Sequence, residues 1–210
     1  MKKLLVALVA AVFLLQACTL DQNFYINENG GGNYEMKFDM SALMELAGDE
    51  AESLKEMEEF QDLDTEIQEL MKQDGISNVK YEIEDAAVNM SFDFASWDVY
   101  EEYQRSSDNP TGEGDAVQLK ISSKKATVDL RNAMSIMKDV MDEEMEGDDS
   151  MDMGSMGEMF TLKYNFKFEK PIKKASGGDA MTWNQSDNSI SFEIDLEGDP
   201  KDYIAKIKFK

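Results

Sequence analysis

The sequence predicts an α+β fold, in which a mainly antiparallel sheet of hairpins carries amphipathic helices packed on one face. Two observations lead to this prediction. Stretches of alternating apolar and polar residues recur along the chain, and most are joined by short segments rich in Gly, Asn, Asp or Ser. Between them lie stretches whose apolar residues recur every three or four positions, which is typical of helices that bury one side. Hairpins favour an antiparallel sheet, and the helices then need a sheet face to cover.

The strands are expected in hairpins along most of the chain. Asp21 to Met40 reads as the first hairpin, because alternating residues flank the glycine-containing turn at 27–33. The other stretches with the same alternation are 79–94, 117–130, 160–168, 181–196 and 203–209. Pro171 and Gly177-Gly178 indicate a loop between two of these stretches.

An internal repeat accompanies the alternation. Residues 36–40 (MKFDM) and 90–94 (MSFDF) share the form apolar-x-Phe-Asp-apolar and lie 54 positions apart. Each is followed by a serine, Ser41 or Ser96, that can cap a helix. The pattern predicts two copies of a hairpin-plus-helix unit.

Helices are expected after these serines, over 49–74 and over 133–145. In the helix after Ser96, Trp97, Tyr100 and Tyr103 share one side. That stripe is expected to cover the sheet, with a ligand groove as the alternative. Trp183, beside a tight turn, is a further candidate for recognition of a partner.

The chain is strongly acidic, with 44 acidic residues against 21 basic ones and a net charge of −23. Such a surface repels phosphates, so a nucleic acid partner is not expected. Anionic lipid headgroups are repelled as well, so we expect membrane contact through an attached lipid and not through a basic patch.

The first 18 residues carry a secretion signal. Lys2 and Lys3 precede 12 apolar residues, Leu4 to Leu15, too few for a membrane-spanning helix, which needs about 20. Leu15-Gln16-Ala17-Cys18 follows, and Cys18 is the single cysteine.

These residues resemble the lipobox signal of a bacterial lipoprotein. The resemblance implies that residues 1–17 are a signal peptide, that Cys18 carries the lipid, and that 18–210 form a single α+β domain. Thr19 after the cysteine favours the outer membrane, with the domain facing the periplasm. The remainder, roughly Asp21 to Phe209, resembles the conserved domain of LppM-type bacterial lipoproteins, which implies an envelope role and no known enzymatic activity.

The composition argues against catalysis. The chain has no histidine, which removes the commonest general base and metal ligand. Cys18 is used by the anchor, so no cysteine nucleophile or Cys-type zinc site is expected. No cofactor is expected either. A Ser-Lys dyad or a carboxylate pair stays open, so an unrecognised hydrolase remains an alternative.

Residues 134–159 combine eight methionines with acidic residues, and about 142–158 is expected to be a mobile segment. Thioethers select Cu(I), and Met151, Met153, Met156 and Met159 have a spacing suited to it. Calcium bound by the carboxylates is a weaker alternative, and a structural or linker role is the simpler reading. The leading prediction is a non-enzymatic, lipid-anchored envelope protein that binds or scaffolds an unknown protein or small ligand; the alternative is a metal-binding lipoprotein.

Overall fold

The computed structural model describes residues 18–39, 67–84, 87–105, 117–135, 160–194 and 199–210. Within these ranges the chain forms eleven strands and one nine-residue helix, α1 (Trp97–Arg105). A 3₁₀ helix spans Pro200–Tyr203, and residues 67–70 and 131–135 are also helical. The strands are β1 (Cys18–Ile26), β2 (Gly32–Asp39), β3 (Ile76–Glu84), β4 (Ala87–Phe94), β5 (Gln118–Ile121), β6 (Lys125–Asp129), β7 (Phe160–Phe168), β8 (Ile172–Gly177), β9 (Met181–Asn184), β10 (Ser189–Ile194) and β11 (Ile204–Phe209).

The strands form two sheets. The first has seven strands in the order β3-β4-β2-β1-β7-β10-β9, and the second has four in the order β5-β6-β11-β8. All neighbours are antiparallel except β1 and β7, which run parallel in the middle of the first sheet. A parallel pair cannot be closed by a tight turn, and here it joins an N-terminal group of strands to a C-terminal group.

The predicted α+β fold class is wrong, because the described part of the chain is mostly β. Its helical residues are α1 and three shorter stretches, too few to form a layer of helices over a sheet face. The expected loop at Pro171 to Gly178 contains strand β8, which pairs with β11. A second sheet arises because β11 pairs with β8 on one side and with β6 on the other, and these strands do not extend the first sheet.

The local hairpins are confirmed. β1 pairs with β2, β3 with β4, and β9 with β10. The cap predicted at Ser96 is present, since its hydroxyl accepts a hydrogen bond from the Val99 amide at 3.4 Å. Of the predicted helices, the parts over 41–66 and 136–145 lie outside the described residues.

The two segments of the internal repeat each end the second strand of a hairpin, β1–β2 or β3–β4, and these second strands pair with each other. Met36 lies opposite Met90, and these are equivalent positions in the two copies. The pair Tyr34–Phe92 lies on one side of it and the pair Phe38–Val88 on the other. Replacing each residue of one pair by its equivalent 54 positions away gives the other pair. β2 and β4 are therefore related by an approximate local two-fold axis through the Met36–Met90 pair. The helix predicted after the first copy begins outside the described residues.

One hydrophobic core lies between the two sheets and beneath α1. Alternate residues of the first sheet point into it, as in β7, where Leu162, Tyr164, Phe166 and Phe168 are buried. The two sheets meet where the rings of Phe168 and Phe209 lie 5.6 Å apart. Removal of these aromatic and aliphatic side chains from water is the main stabilising contribution for a domain with no disulfide.

The turn after β1 contacts the second sheet. Asn27 Oδ1 accepts hydrogen bonds from the amides of Asn29 and Gly31, and Gly30 adopts φ +84°. A Cβ atom on Gly30 would lie 3.3 Å from Cγ2 of Ile121 on β5. The second sheet therefore adjoins the far end of β1, a full strand away from Cys18.

Candidate binding surface

The outer side of the second sheet is covered with lysines. Inward-facing residues such as Val128 and Ile207 are buried, and the alternate positions point outward. We define the lysine face as the exposed Lys120, Lys125, Lys174, Lys206 and Lys208. Lys124, Lys173 and Lys210, all exposed, border it.

Three of these lysines lie side by side. Lys208 on β11 is directly opposite Lys125 on β6 and, on its other side, Lys174 on β8. Adjacent strands are about 4.8 Å apart, so three ammonium-bearing side chains start within about 10 Å of one another. Like charges directly opposite in a sheet are destabilising. This arrangement therefore costs stability in the absence of a partner.

The next row of the same face mixes lysines with hydroxyl groups. Thr127 on β6 lies between Lys120 on β5 and Lys206 on β11, and Lys206 is opposite Ser176 on β8. Neutral hydrogen-bonding groups thus lie next to the row of three lysines.

Little negative charge balances this face. Asp129 is the one acidic residue in the four strands of the second sheet. Its carboxylate accepts hydrogen bonds from Nε and Nη2 of Arg131, and this pairing lowers the pKa of Asp129 below its usual value. No salt bridge between described residues involves a lysine of the face. The face is therefore a local positive surface on a chain of net charge −23.

Protection of sheet edges does not explain all of these lysines. Lysines on edge strands prevent unwanted pairing with other chains, and that accounts for Lys120 on β5 and Lys174 on β8. Lys206 and Lys208 lie on β11, whose two sides are both paired. Their positive charge is thus available for a different purpose.

The buried polar groups beneath α1 are structural. Tyr34 donates a hydrogen bond from its hydroxyl to Oε1 of the buried Gln22 at 3.0 Å. Burial raises the pKa of the Tyr34, Tyr100 and Tyr164 phenols above their usual value. These phenols stay protonated at neutral pH, so they cannot serve as general bases there.

The aromatic stripe on α1 covers the first sheet, as expected. Trp97, Tyr100 and Tyr103 are all buried, and the rings of Tyr100 and Phe24 meet edge to face at 5.2 Å. They line no exposed groove. Trp183, the other recognition candidate, is half-buried on edge strand β9, and its Nε1 has no hydrogen-bond partner among the described residues.

The remaining predicted sites are only partly described. Cys18 is the first residue of β1, where it is paired with Phe160 of β7; the signal peptide, 1–17, lies outside the described residues. So do the copper candidates Met151, Met153, Met156 and Met159, and the acidic segment 142–158. In the part of the chain that is described, no three His, Cys, Asp or Glu residues are grouped so as to hold a metal ion. Nor is any helix there long and apolar enough to cross a bilayer.

Sequence reasoning missed the lysine face because it averaged charge along the chain. Residues 159–210 contain nearly equal numbers of lysines and acidic residues, which suggests a neutral region. The alternating Lys206, Lys208 and Lys210 were a usable signal, since period-2 spacing places them on one side of a strand. The neighbouring lysines come from β6 and β8, distant in sequence, and could not be assigned to the same face.

Comparison with known proteins gives little further information. No family model matches any part of the chain, and no curated protein matches it. The solution structure of the folded domain of LppM from Mycobacterium tuberculosis is similar at a TM-score of 0.42 and 8% identity, over 93% of this chain and 90% of that one. A likeness this distant supports no conclusion about the fold or the function of this chain.

Proposed function

We propose that the protein is a non-enzymatic, lipid-anchored binding module of the cell envelope, and that it holds an anionic partner on the lysine face. The observation that carries the proposal is the row of Lys125, Lys208 and Lys174 on adjacent strands. A bound anion relieves the repulsion between these side chains, so the stability lost in building the row is regained on binding.

The lipid anchor is supported by the sequence Leu15-Gln16-Ala17-Cys18 and by the position of Cys18 at the start of β1. An anchor at this residue joins the bilayer to the folded domain without a linker. An outer-membrane location with the domain in the periplasm is part of the proposal, and it rests on Thr19 following the cysteine.

Lysine suits this role because its ammonium group is a compact charge on a flexible stem. Such groups bind anions of varied shape, whereas the planar fork of arginine favours one bidentate geometry. The proposed function is therefore attachment to an anionic surface or polymer, with no chemical step.

Retention on a sulfonate cation exchanger tests the proposal. The mature lipoprotein, purified in detergent, is expected to bind at about 50 mM salt although its net charge is strongly negative, because local charge dominates within a Debye length of about 10 Å at 0.1 M salt. The triple variant Lys125→Gln/Lys174→Gln/Lys208→Gln is expected to flow through.

The matched control is Lys37→Gln/Lys80→Gln/Lys163→Gln, which removes the same charge from the outer side of the first sheet. Its retention is expected to equal that of the wild type. Equal loss in both triple variants, or no retention of the wild type, would refute a role for the lysine face. The anchor is tested separately by mass spectrometry of the N-terminal peptide, where an unmodified Cys18 thiol contradicts it.

A further inference from the structure

We infer that β9, the last strand of the first sheet, accepts an extended segment of a partner protein as an added strand, and that this segment has an apolar middle and basic ends. The inference is independent of the lysine face and adds a second binding surface of opposite charge. Three observations carry it: the lack of protection at this sheet edge, the half-buried state of its inward side chains, and the acidic residues next to its two ends.

The described strands form two sheets with four edges, β3 and β9 in the first and β5 and β8 in the second. Edge strands expose unpaired backbone groups, and lysines or bulges normally prevent their pairing with other chains. β3 has a register shift and the exposed Lys80, β5 has Lys120, and β8 has Lys174. β9 (Met181–Asn184) has neither a lysine nor a register shift. Its shortness does not replace them, because β5 is also four residues long and still carries a lysine.

The inward side chains of β9 are incompletely covered. Met181 and Trp183 lie opposite Phe192 and Ile190 of β10, so all four point to the core side of the sheet. Phe192 and Ile190 are buried, whereas Met181 and Trp183 are half-buried, because none of the described strands lies beyond them. The buried Nε1 of Trp183 also lacks a hydrogen-bond partner among the described residues. Alternate apolar residues of an added strand bury both side chains further and extend the core.

The size of the edge selects a partner segment over a second copy of the whole domain. A stable interface between folded proteins buries at least about 1,000 Å² and uses about 20–30 residues on each side, whereas β9 has four. An extended segment needs less area, because its main-chain hydrogen bonds to the edge give affinity and its alternate side chains give specificity. The residues of the segment beside Met181 and Trp183 are therefore expected to be apolar.

The residues next to β9 define the ends of the segment. Asp179 lies two residues before the strand and Asp187 three residues after it, and both are exposed. No lysine or arginine lies between these two positions. Neither aspartate belongs to a salt bridge between described residues. Because complementary charge fixes the register of a partner, we expect a basic residue at each end of the bound segment.

The test uses the mature lipoprotein in detergent and the fluorescein-labelled peptide Lys-Val-Thr-Val-Thr-Val-Lys. Saturable binding is expected at about 150 mM salt, where a Debye length of about 8 Å limits general attraction to the acidic chain. N-methylation of the three central backbone amides of the peptide keeps its charge and side chains but removes hydrogen-bond donors. The methylated peptide is expected to bind about tenfold more weakly, the loss expected from one or two hydrogen bonds. Hydrogen–deuterium exchange locates the site, since the unmethylated peptide is expected to slow exchange in residues 181–184 and not in β3.

Two variants test the part played by the indole. Trp183→Thr keeps a strand-forming residue and removes the ring, so its affinity for the peptide is expected to fall several-fold. The matched control is Tyr81→Thr, which removes a half-buried aromatic ring from β3, the opposite edge of the same sheet. Its affinity is expected to equal that of the wild type.

Equal binding of the methylated peptide, protection of β3 in place of β9, or equal loss in both variants would overturn the inference. Protection of residues 181–184 that rises with protein concentration in the absence of peptide would show that a second copy occupies the edge, and would overturn the partner segment. The Lys125→Gln/Lys174→Gln/Lys208→Gln variant is expected to bind the peptide like the wild type. Failure of peptide binding thus leaves the lysine face standing, and failure of cation-exchanger retention leaves this inference standing.

Discussion

Repulsion within the lysine face leads to a stability prediction for Lys208→Gln. Lys208 lies between Lys125 and Lys174 on adjacent strands. Cross-strand pairs are worth roughly 0.2–1 kcal/mol each, and like charges directly opposite reverse the sign. Removing one charge from the centre of the row relieves two such pairs. At 10 mM salt, where the Debye length is about 30 Å, we expect a gain of about 0.5–1 kcal/mol in the free energy of unfolding.

The control for this prediction is Lys206→Gln on the same strand. Lys206 is opposite Thr127 and Ser176 and has no directly opposed lysine, yet its removal changes the net charge of the chain by the same amount. The difference between the two variants in urea denaturation therefore reports the direct repulsion. It is expected to vanish at 1 M salt, where the Debye length is about 3 Å. A Lys208→Gln variant no more stable than Lys206→Gln at low salt, or a difference independent of salt, would refute the reasoning.

Three further predictions concern the core, the ion pair and the anchor. Gln22→Leu leaves the buried Tyr34 hydroxyl without its acceptor, so it is expected to lower the free energy of unfolding, measured with urea, by about 1–3 kcal/mol. Adding Tyr34→Phe should recover part of that loss. An unchanged urea midpoint in the single variant would contradict the expectation. The pKa of Asp129 is lowered by Arg131, so the stability from this pair is present above the unfolded pKa of about 3.9 and is lost as pH falls through the folded pKa. Arg131→Gln is thus expected to lower the free energy of unfolding at pH 6 and to match the wild type near pH 2. Equal loss at both pH values would argue against the pair. Cys18→Ser is expected to move the protein from the membrane fraction to the soluble secreted fraction, whereas continued membrane retention would show a different anchor.

Local structure was predictable from the sequence where neighbouring residues determine it. The turn at Asn27 to Gly31 and the alternation on either side of it predicted the first hairpin, and Ser96 predicted the start of α1. The buried stripe of Trp97, Tyr100 and Tyr103 followed from helical spacing alone. In each case the relevant contacts lie within a few residues along the chain.

Pairing between distant strands was not predictable, and this explains the error in fold class. Alternation shows that a strand has one buried side, but it does not show which strand lies next to it. β8 was mistaken for a loop because Pro171 and Gly177 mark its two ends, although an edge strand tolerates both. Because β6, β8 and β11 were not recognised as neighbours, the lysines on these three strands could not be recognised as one surface.

Lysine footprinting tests the central claim most directly. The mature lipoprotein in neutral nanodiscs is acetylated with an N-hydroxysuccinimide ester, with and without a linear polyanion such as polyglutamate, and modification of each lysine is followed by mass spectrometry. The account predicts that the polymer slows modification of Lys125, Lys174 and Lys208 several-fold and leaves Lys37 and Lys80 on the first sheet unchanged. Equal protection of both sets, or protection of the first sheet alone, would contradict it.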